Sequence, residues 1–200
     1  RRGYAVAARH ERDIAPDRAS LHAETLSALG LDPDRPDRPG LIGVWAWMMS
    51  RVADALETEP AIDADRLAVM GHSRRAKAAL LAGARDERFG VILAHQSGTG
   101  GASLHRDNLG EPIASITGSY PHWFAPHYSD YAESEDALPL DAHYLLALIA
   151  PRSVLLGNSR RDVWSDPAGA WRAAEAASPV WALYGVDGLN QTRLDEIDVS

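Results

Sequence analysis

The sequence predicts an α/β fold, a mostly parallel β-sheet with helices flanking it. Three observations carry that expectation. Short apolar runs at Leu67 to Met70, Val91 to His95 and Ser153 to Gly157 have the length and branched-residue content of strands. Segments with helical spacing lie between them, and strand–helix–strand–helix order is met most simply by parallel strands joined by crossovers. One strand–helix junction, finally, is a Gly-x-Ser turn, where a sharp bend is needed. A chain of 200 residues suits one domain spanning residues 1–200.

Taken in order, Tyr4 to Ala8 reads as a short buried strand. Glu11 to Gly40 holds four prolines (Pro16, Pro33, Pro36 and Pro39) and many Asp and Arg, so it is a loop region, with one helical segment between Ala19 and Leu29. Leu41 to Glu57 is the clearest helix. Leu41, Val44, Trp45, Met48, Val52 and Leu56 share one face, which makes Trp45 a core residue. Pro60 closes that region, and Leu67 to Met70 follows as a strand. The helix after Ser73 runs to about Gly83. Val91 to His95, apolar without alternation, suits a strand buried on both faces. Gln96 to Pro139 is a long irregular region, of the kind that is usually functional or carries small elements. Leu138 to Ala150 reads as helical and Ser153 to Gly157 as a strand. Asp166, followed by Pro167, is the N-cap of a helix carrying Trp171. Asn190 to Ser200 is polar and has no assigned element.

The composition excludes several function classes. The chain is acidic, with 28 Asp and Glu against 20 Lys and Arg, a formal charge of −8. Such a balance is unsuited to nucleic acid or to an anionic membrane surface. With no cysteine there are neither disulfides nor thiolate metal sites. No apolar run is long enough to span a bilayer, and no secretory leader is visible. The histidines and acids show no metal-binding spacing, and no glycine loop has the Lys-Ser/Thr of a phosphate site, so no cofactor or metal is expected.

The chemistry centres on Leu67-Ala68-Val69-Met70-Gly71-His72-Ser73. Strand, tight turn with a serine at its apex, then helix is how α/β-hydrolases present a nucleophile. Gly71 stands two residues before Ser73, but Arg75 stands two residues after it, where a glycine is usual. A serine nucleophile needs a base and an acid that orients the base. Asp162 follows the strand Ser153 to Gly157 and falls at the C-terminal edge of the sheet, where open α/β sheets carry their sites. No histidine follows it; the last is His143. His95, His122, His127 and His143 are the internal alternatives, with His122 and His127 foremost, although a buried, hydrogen-bonded histidine beside Trp123 is the plainer reading of His122. His72 adjoins Ser73, but neighbouring side chains diverge at an elbow.

Gly71-His72-Ser73-Arg74-Arg75-Ala76-Lys77 resembles the G-C-S-R-x-G-K signature of the glucuronoyl esterases, carbohydrate esterase family 15. His72 stands where Cys is common and Ala76 where Gly is usual. The resemblance continues through Asp13-Ile14-Ala15-Pro16-Asp17, Ala84 to Phe89, Gln96 to Ala102, Pro121-His122-Trp123-Phe124, Leu145 to Arg152 and Asp162 to Pro167. It implies an α/β-hydrolase fold, here incomplete at both ends, and a serine esterase with no cofactor. The implied substrate is a 4-O-methyl-glucuronoyl ester joining xylan to lignin. It implies Ser73 as nucleophile, Arg74 as an oxyanion donor beside its own N–H, and Asp162 as the acid, an Asp used by some bacterial members. Other members place a Glu where this chain has Gln96. Lys77, Glu111 and Trp164 match residues that contact the sugar, and Arg106 could line the same loop. The family's catalytic histidine would fall shortly after Ser200. A monomer acting on glucuronoxylan, secreted or periplasmic, is the accompanying expectation. Another carbohydrate esterase, such as an acetyl-xylan esterase, and an inactive uronate-binding protein stay open beside it.

Overall fold

The computed structural model describes residues 3–193. At its centre is a three-stranded parallel sheet in the order β1 (Leu67–His72), β2 (Phe89–His95), β3 (Ser153–Gly157). Val69 sits opposite Ile92, and Ile92 opposite Val154, so the branched residues form one row across the sheet. The helices are α1 (His22–Ala28), α2 (Leu41–Glu57), α3 (Arg74–Arg85), α4 (Ile113–Ser119), α5 (Ala142–Ala147) and α6 (Pro167–Ala182).

Alanine decides how the layers meet. Ala76, Ala79 and Ala82 of α3, and Ala170, Ala173 and Ala177 of α6, are fully buried with Val69, Leu80, Ile92 and Phe89 in the larger core cluster. Short side chains on these faces let the helices approach closely, and dispersion contacts grow with that closeness. A second cluster surrounds Trp45 and gathers Ala15, Leu26, Leu41, Ala78, Ile116 and Trp123. Trp45 is 1% exposed, as its place on the helix face predicts, and its indole N–H is satisfied by the Ala15 carbonyl at 2.9 Å. That bond fastens the N-terminal loop onto α2.

Three expectations are corrected. Tyr4 to Ala8 forms no strand; Tyr4 and Val6 are 87% and 89% exposed, because no described strand edge lies beside them to pair with. β2 is not covered on both sides. Burial alternates along β1, and Met70 and Leu155 on the open side are exposed, so among the described residues helices cover one sheet face only. Leu138 to Ala150 is helical only as α5, which starts late because the Asp141 side chain caps it by accepting from the Ala142 N–H. The long region after Gln96 does carry small elements, α4 and two 3-10 turns, Pro126–Tyr131 and Glu135–Ala137. The N-cap at Asp166 is as expected; its carboxylate accepts from the Gly169 N–H at 2.9 Å. From residue 194 on, the polar C-terminal stretch lies outside the described residues.

Candidate active site

Ser73 sits between β1 and α3 with φ 56° and ψ −125°, a conformation sparsely populated by residues with a Cβ. Holding it costs on the order of 1–3 kcal/mol, which the surrounding core must supply. The backbone is pinned on both sides: the Ser73 N–H donates to the His95 carbonyl of β2 at 2.9 Å, and the Ser73 carbonyl accepts from the Ala76 N–H at 2.8 Å. The glycine before it has a plain reason. A Cβ on Gly71 would lie 2.1 Å from the Arg75 carbonyl oxygen, because the chain doubles back upon itself there. Arg75 in place of the usual second glycine is tolerated because its side chain leaves the turn and pairs with Glu11.

Arg74 does not extend into solvent as an ordinary helix-start cation would. One Nη donates to the Asp17 carboxylate, and the guanidinium lies over the Trp123 ring at 4.4 Å and the Tyr120 ring at 5.4 Å. Those two rings stack at 3.8 Å and 4°. Asp17 also accepts from the Trp123 indole at 2.7 Å and bonds His122 Nε2 at 2.9 Å. Burial pushes the Asp17 carboxyl up, but the hydrogen bonds from Trp123, Arg74 and His122 outweigh it and hold the group below its ordinary range. The Arg74 Nε is buried with no acceptor. A buried donor left without a partner costs roughly 1–3 kcal/mol.

Asp162 lies just beyond β3, at the same sheet edge as Ser73. Its side chain makes no capping bond to the 3-10 turn Val163–Ser165 that follows it. It accepts instead from the Gln96 amide at 2.6 Å. Gln96, at the end of β2 with φ 51°, has its own Oε1 3.1 Å from His72 Nε2. His72, which the sequence reading left without a role, therefore backs the amide that contacts Asp162.

Lys77, one turn into α3, is 4% exposed and donates to the carbonyls of Ser97 and Thr99. Burial lowers its pKa to about 8; Glu111 opposes that shift and Arg74 adds to it. Burial raises the Glu111 carboxyl, against the pull of Lys77 and a hydrogen bond from the Trp164 indole. The Glu111 N–H also donates to the Trp164 carbonyl at 3.0 Å, and the Ser103 hydroxyl to that of Ser165 at 2.7 Å, so the loop after β2 is stitched to the loop after β3. Trp164 is 55% exposed and presents its ring at the surface instead of filling the core. Arg106 is elsewhere: it binds Asp141 and the carbonyls of Asp136 and Leu138.

No described histidine has a ring nitrogen bonded to Ser73. His122 is committed to Asp17, with its Nδ1 buried and unpartnered, and His127 pairs with Asp130 at the surface. His105 sits between Asp141 and Tyr128. His95 packs against the His72 ring at 5.0 Å, and His143 against Tyr144. Sequence reasoning missed two contributors, Asp17 and Gln96. Asp17 had a signal in the Asp13 to Asp17 motif, but nothing local linked it to Arg74.

Comparison with known proteins bears on this arrangement. A family model described as glucuronyl esterase, fungi, matches residues 35–185. A carbohydrate esterase, MZ0003, from an unknown prokaryotic organism is 39% identical over 199 residues, covering 98% of this chain and 46% of that protein. 4-O-methyl-glucuronoyl methylesterase 1 of Phanerochaete chrysosporium is 35% identical over 151 residues, 71% of this chain and 32% of that one. Among solved structures, a glucuronoyl esterase from Solibacter usitatus superposes with a TM-score of 0.84 at 38% identity, over 92% of this chain and 48% of its own. One from Sporotrichum thermophile, in complex with methyl 4-O-methyl-β-D-glucopyranuronate, superposes at 0.68 with 29% identity, over 75% of this chain and 44% of its own. The chain spans about half the length of these relatives or less.

Proposed function

The chain belongs to the glucuronoyl esterases, and from that premise we propose that it carries the nucleophile half of a serine esterase acting on 4-O-methyl-glucuronoyl esters of xylan. The observation that supports this most is Ser73, held in a strained conformation at the strand–helix apex directly before Arg74. In this reading Ser73 Oγ attacks the ester carbonyl carbon and its proton passes to a base. The C–O bond to the alcohol breaks, and the alcohol leaves with that proton. Water then repeats the sequence on the acyl-enzyme and releases the uronic acid. The Arg74 side chain and backbone N–H meet the negative charge on the carbonyl oxygen as it develops.

Asp162 is the acid that orients the base. Its Oδ2 is taken by Gln96, which leaves Oδ1 for an imidazole. The described histidines do not present that imidazole to Ser73. Lys77, Glu111 and Trp164 form the sugar side of the site: two opposite charges and an exposed indole suit a ring with several hydroxyls. A lignin alcohol as leaving group, a monomeric enzyme, and action outside the cell or in the periplasm complete the proposal.

Hydrolysis of benzyl glucuronate tests it, measured on this 200-residue chain and on the full gene product, each with Ser73→Ala beside it. Turnover abolished by Ser73→Ala is the expected result. Glucuronate binding without turnover, unchanged by Ser73→Ala, would move the assignment to a uronate-binding protein. Cleavage of acetyl-xylan in preference to the glucuronate ester would reassign the substrate.

A further inference from the structure

Two consecutive arginines open α3, and both are gripped by one short segment far earlier in the chain. Glu11 pairs with Arg75, and Asp17 with Arg74. The segment is itself immobilised. Ala15 is fully buried and its carbonyl takes the Trp45 indole, while Glu11–Asp13 forms a 3-10 turn. Around Arg74 the contacts close into a cycle: the guanidinium binds Asp17, Asp17 takes the Trp123 N–H, and the Trp123 ring lies under the guanidinium. His122 Nε2 contacts the same carboxylate oxygen as Trp123, Oδ1, leaving Oδ2 to Arg74.

We propose that Asp17 is the positioning residue of Arg74, fixing the guanidinium so that its remaining N–H groups face the ester oxygen. This rests on the reading of Arg74 as the oxyanion donor. A long, flexible side chain at the start of a helix would otherwise sample many rotamers, and a donor that must be reoriented during the reaction stabilises the transition state less. The Asp17 carboxylate is engaged by Arg74, His122 and Trp123, so its effect on the site passes through Arg74. An amide at position 17 keeps the shape but removes the charge and one of the two acceptor oxygens.

A double-mutant cycle on the full gene product, with benzyl glucuronate as substrate, tests the assignment. Asp17→Asn is expected to lower kcat about 10- to 100-fold with KM within about twofold, a smaller loss than the roughly 100-fold or more for Arg74→Ala. The double variant is expected to be no slower than Arg74→Ala, within about twofold. Losses that multiply would overturn the proposal, since Asp17 would then act independently of Arg74. An unchanged kcat in Asp17→Asn, with Arg74→Ala impaired, would also overturn it. An unimpaired Arg74→Ala would remove the oxyanion reading and this inference together. Should Asp17→Asn fail to fold, Trp123→Phe takes its place in the cycle, because it keeps a ring beneath the guanidinium and removes one donor to Asp17. A readout that needs no turnover is hydrogen exchange at the Arg74 Nε–H, followed by NMR in the 200-residue chain. Asp17→Asn is expected to speed it by about tenfold or more, and unchanged exchange would overturn the proposal.

Discussion

The serine elbow and the acid loop meet at the same edge of the sheet, yet they are held by different forces. At the elbow the backbone does the holding. Ser73 is locked between β1 and α3, Gly71 is pressed against the Arg75 carbonyl, and Ala76 and Leu80 beneath it are completely buried. In the acid loop side chains do the holding. The Asp162 carboxylate accepts from the Gln96 amide, the turn after it exposes Val163 and Trp164, and hydroxyl and amide contacts join it to the neighbouring loop. A serine set by packing should be displaced only when the fold fails. A carboxylate set by polar contacts should be tunable without touching stability.

The sharpest way to break that contrast is Gly71→Ala. The added Cβ meets backbone, at 2.1 Å from the Arg75 oxygen and 2.2 Å from its carbonyl carbon, and backbone inside a helix start cannot step aside. The expected cost is above about 4 kcal/mol, enough to unfold a marginal domain. Urea denaturation measures it. A variant that folds with near-native stability would show that the elbow is not fixed by close approach.

Lys77 belongs to both regions, since it rises from α3 and its ammonium holds the carbonyls of Ser97 and Thr99 just past Gln96. Burial lowers its pKa from 10.5 to about 8. Between those values the folded chain has released the proton while the unfolded chain keeps it. The unfolded state then binds more protons, so this group makes stability rise with pH from about 8 to 10.5, by up to about 3 kcal/mol. Below pH 8 the burial penalty is present in full. Lys77→Met should remove that rise, read as the difference in slope between the two stability-versus-pH curves. Equal slopes would mean that the ammonium is not desolvated.

What the sequence disclosed follows the same division. Backbone-determined features were legible: α2 to the residue, the strand leading into Ser73, β3, and the Asp166 cap with Pro167 behind it, because spacing and turn chemistry are local. Features that depend on remote partners were not. Tyr4 to Ala8 had strand composition but no edge to pair with, and the open face of β1 and β2 could not be seen in an unbroken apolar run. Asp17 meets Arg74, and Gln96 meets Asp162, across 57 and 66 residues of chain. Gln96 could be recognised as unable to act as an anionic acid; that it instead donates to Asp162 is a fact of three dimensions.

A smaller effect is expected from Gln96→Leu, which removes the donor to Asp162 and the acceptor for His72 while keeping the bulk. Benzyl glucuronate turnover by the full gene product should fall about tenfold, and stability should change by no more than about 1 kcal/mol, the net worth of such a bond. A loss of several kcal/mol would place the acid loop under the same packing control as the elbow and erase the contrast.

The smallest expected effect concerns stability at Ser73 itself. Its φ of 56° and ψ of −125° are strained for any residue with a Cβ, and glycine relieves most of that. The relief, on the order of 1–3 kcal/mol, is offset by the roughly 0.5–1 kcal/mol of extra backbone freedom that glycine gives the unfolded chain. Ser73→Gly is therefore expected to be about 1 kcal/mol more stable than the parent by urea denaturation, although it has lost the hydroxyl. Ser73→Ala, which keeps the Cβ, should show no such gain. If the two variants proved equally stable, the conformation at the apex would carry no strain, and the elbow would owe its shape to the arginine clasp instead of to the core beneath it.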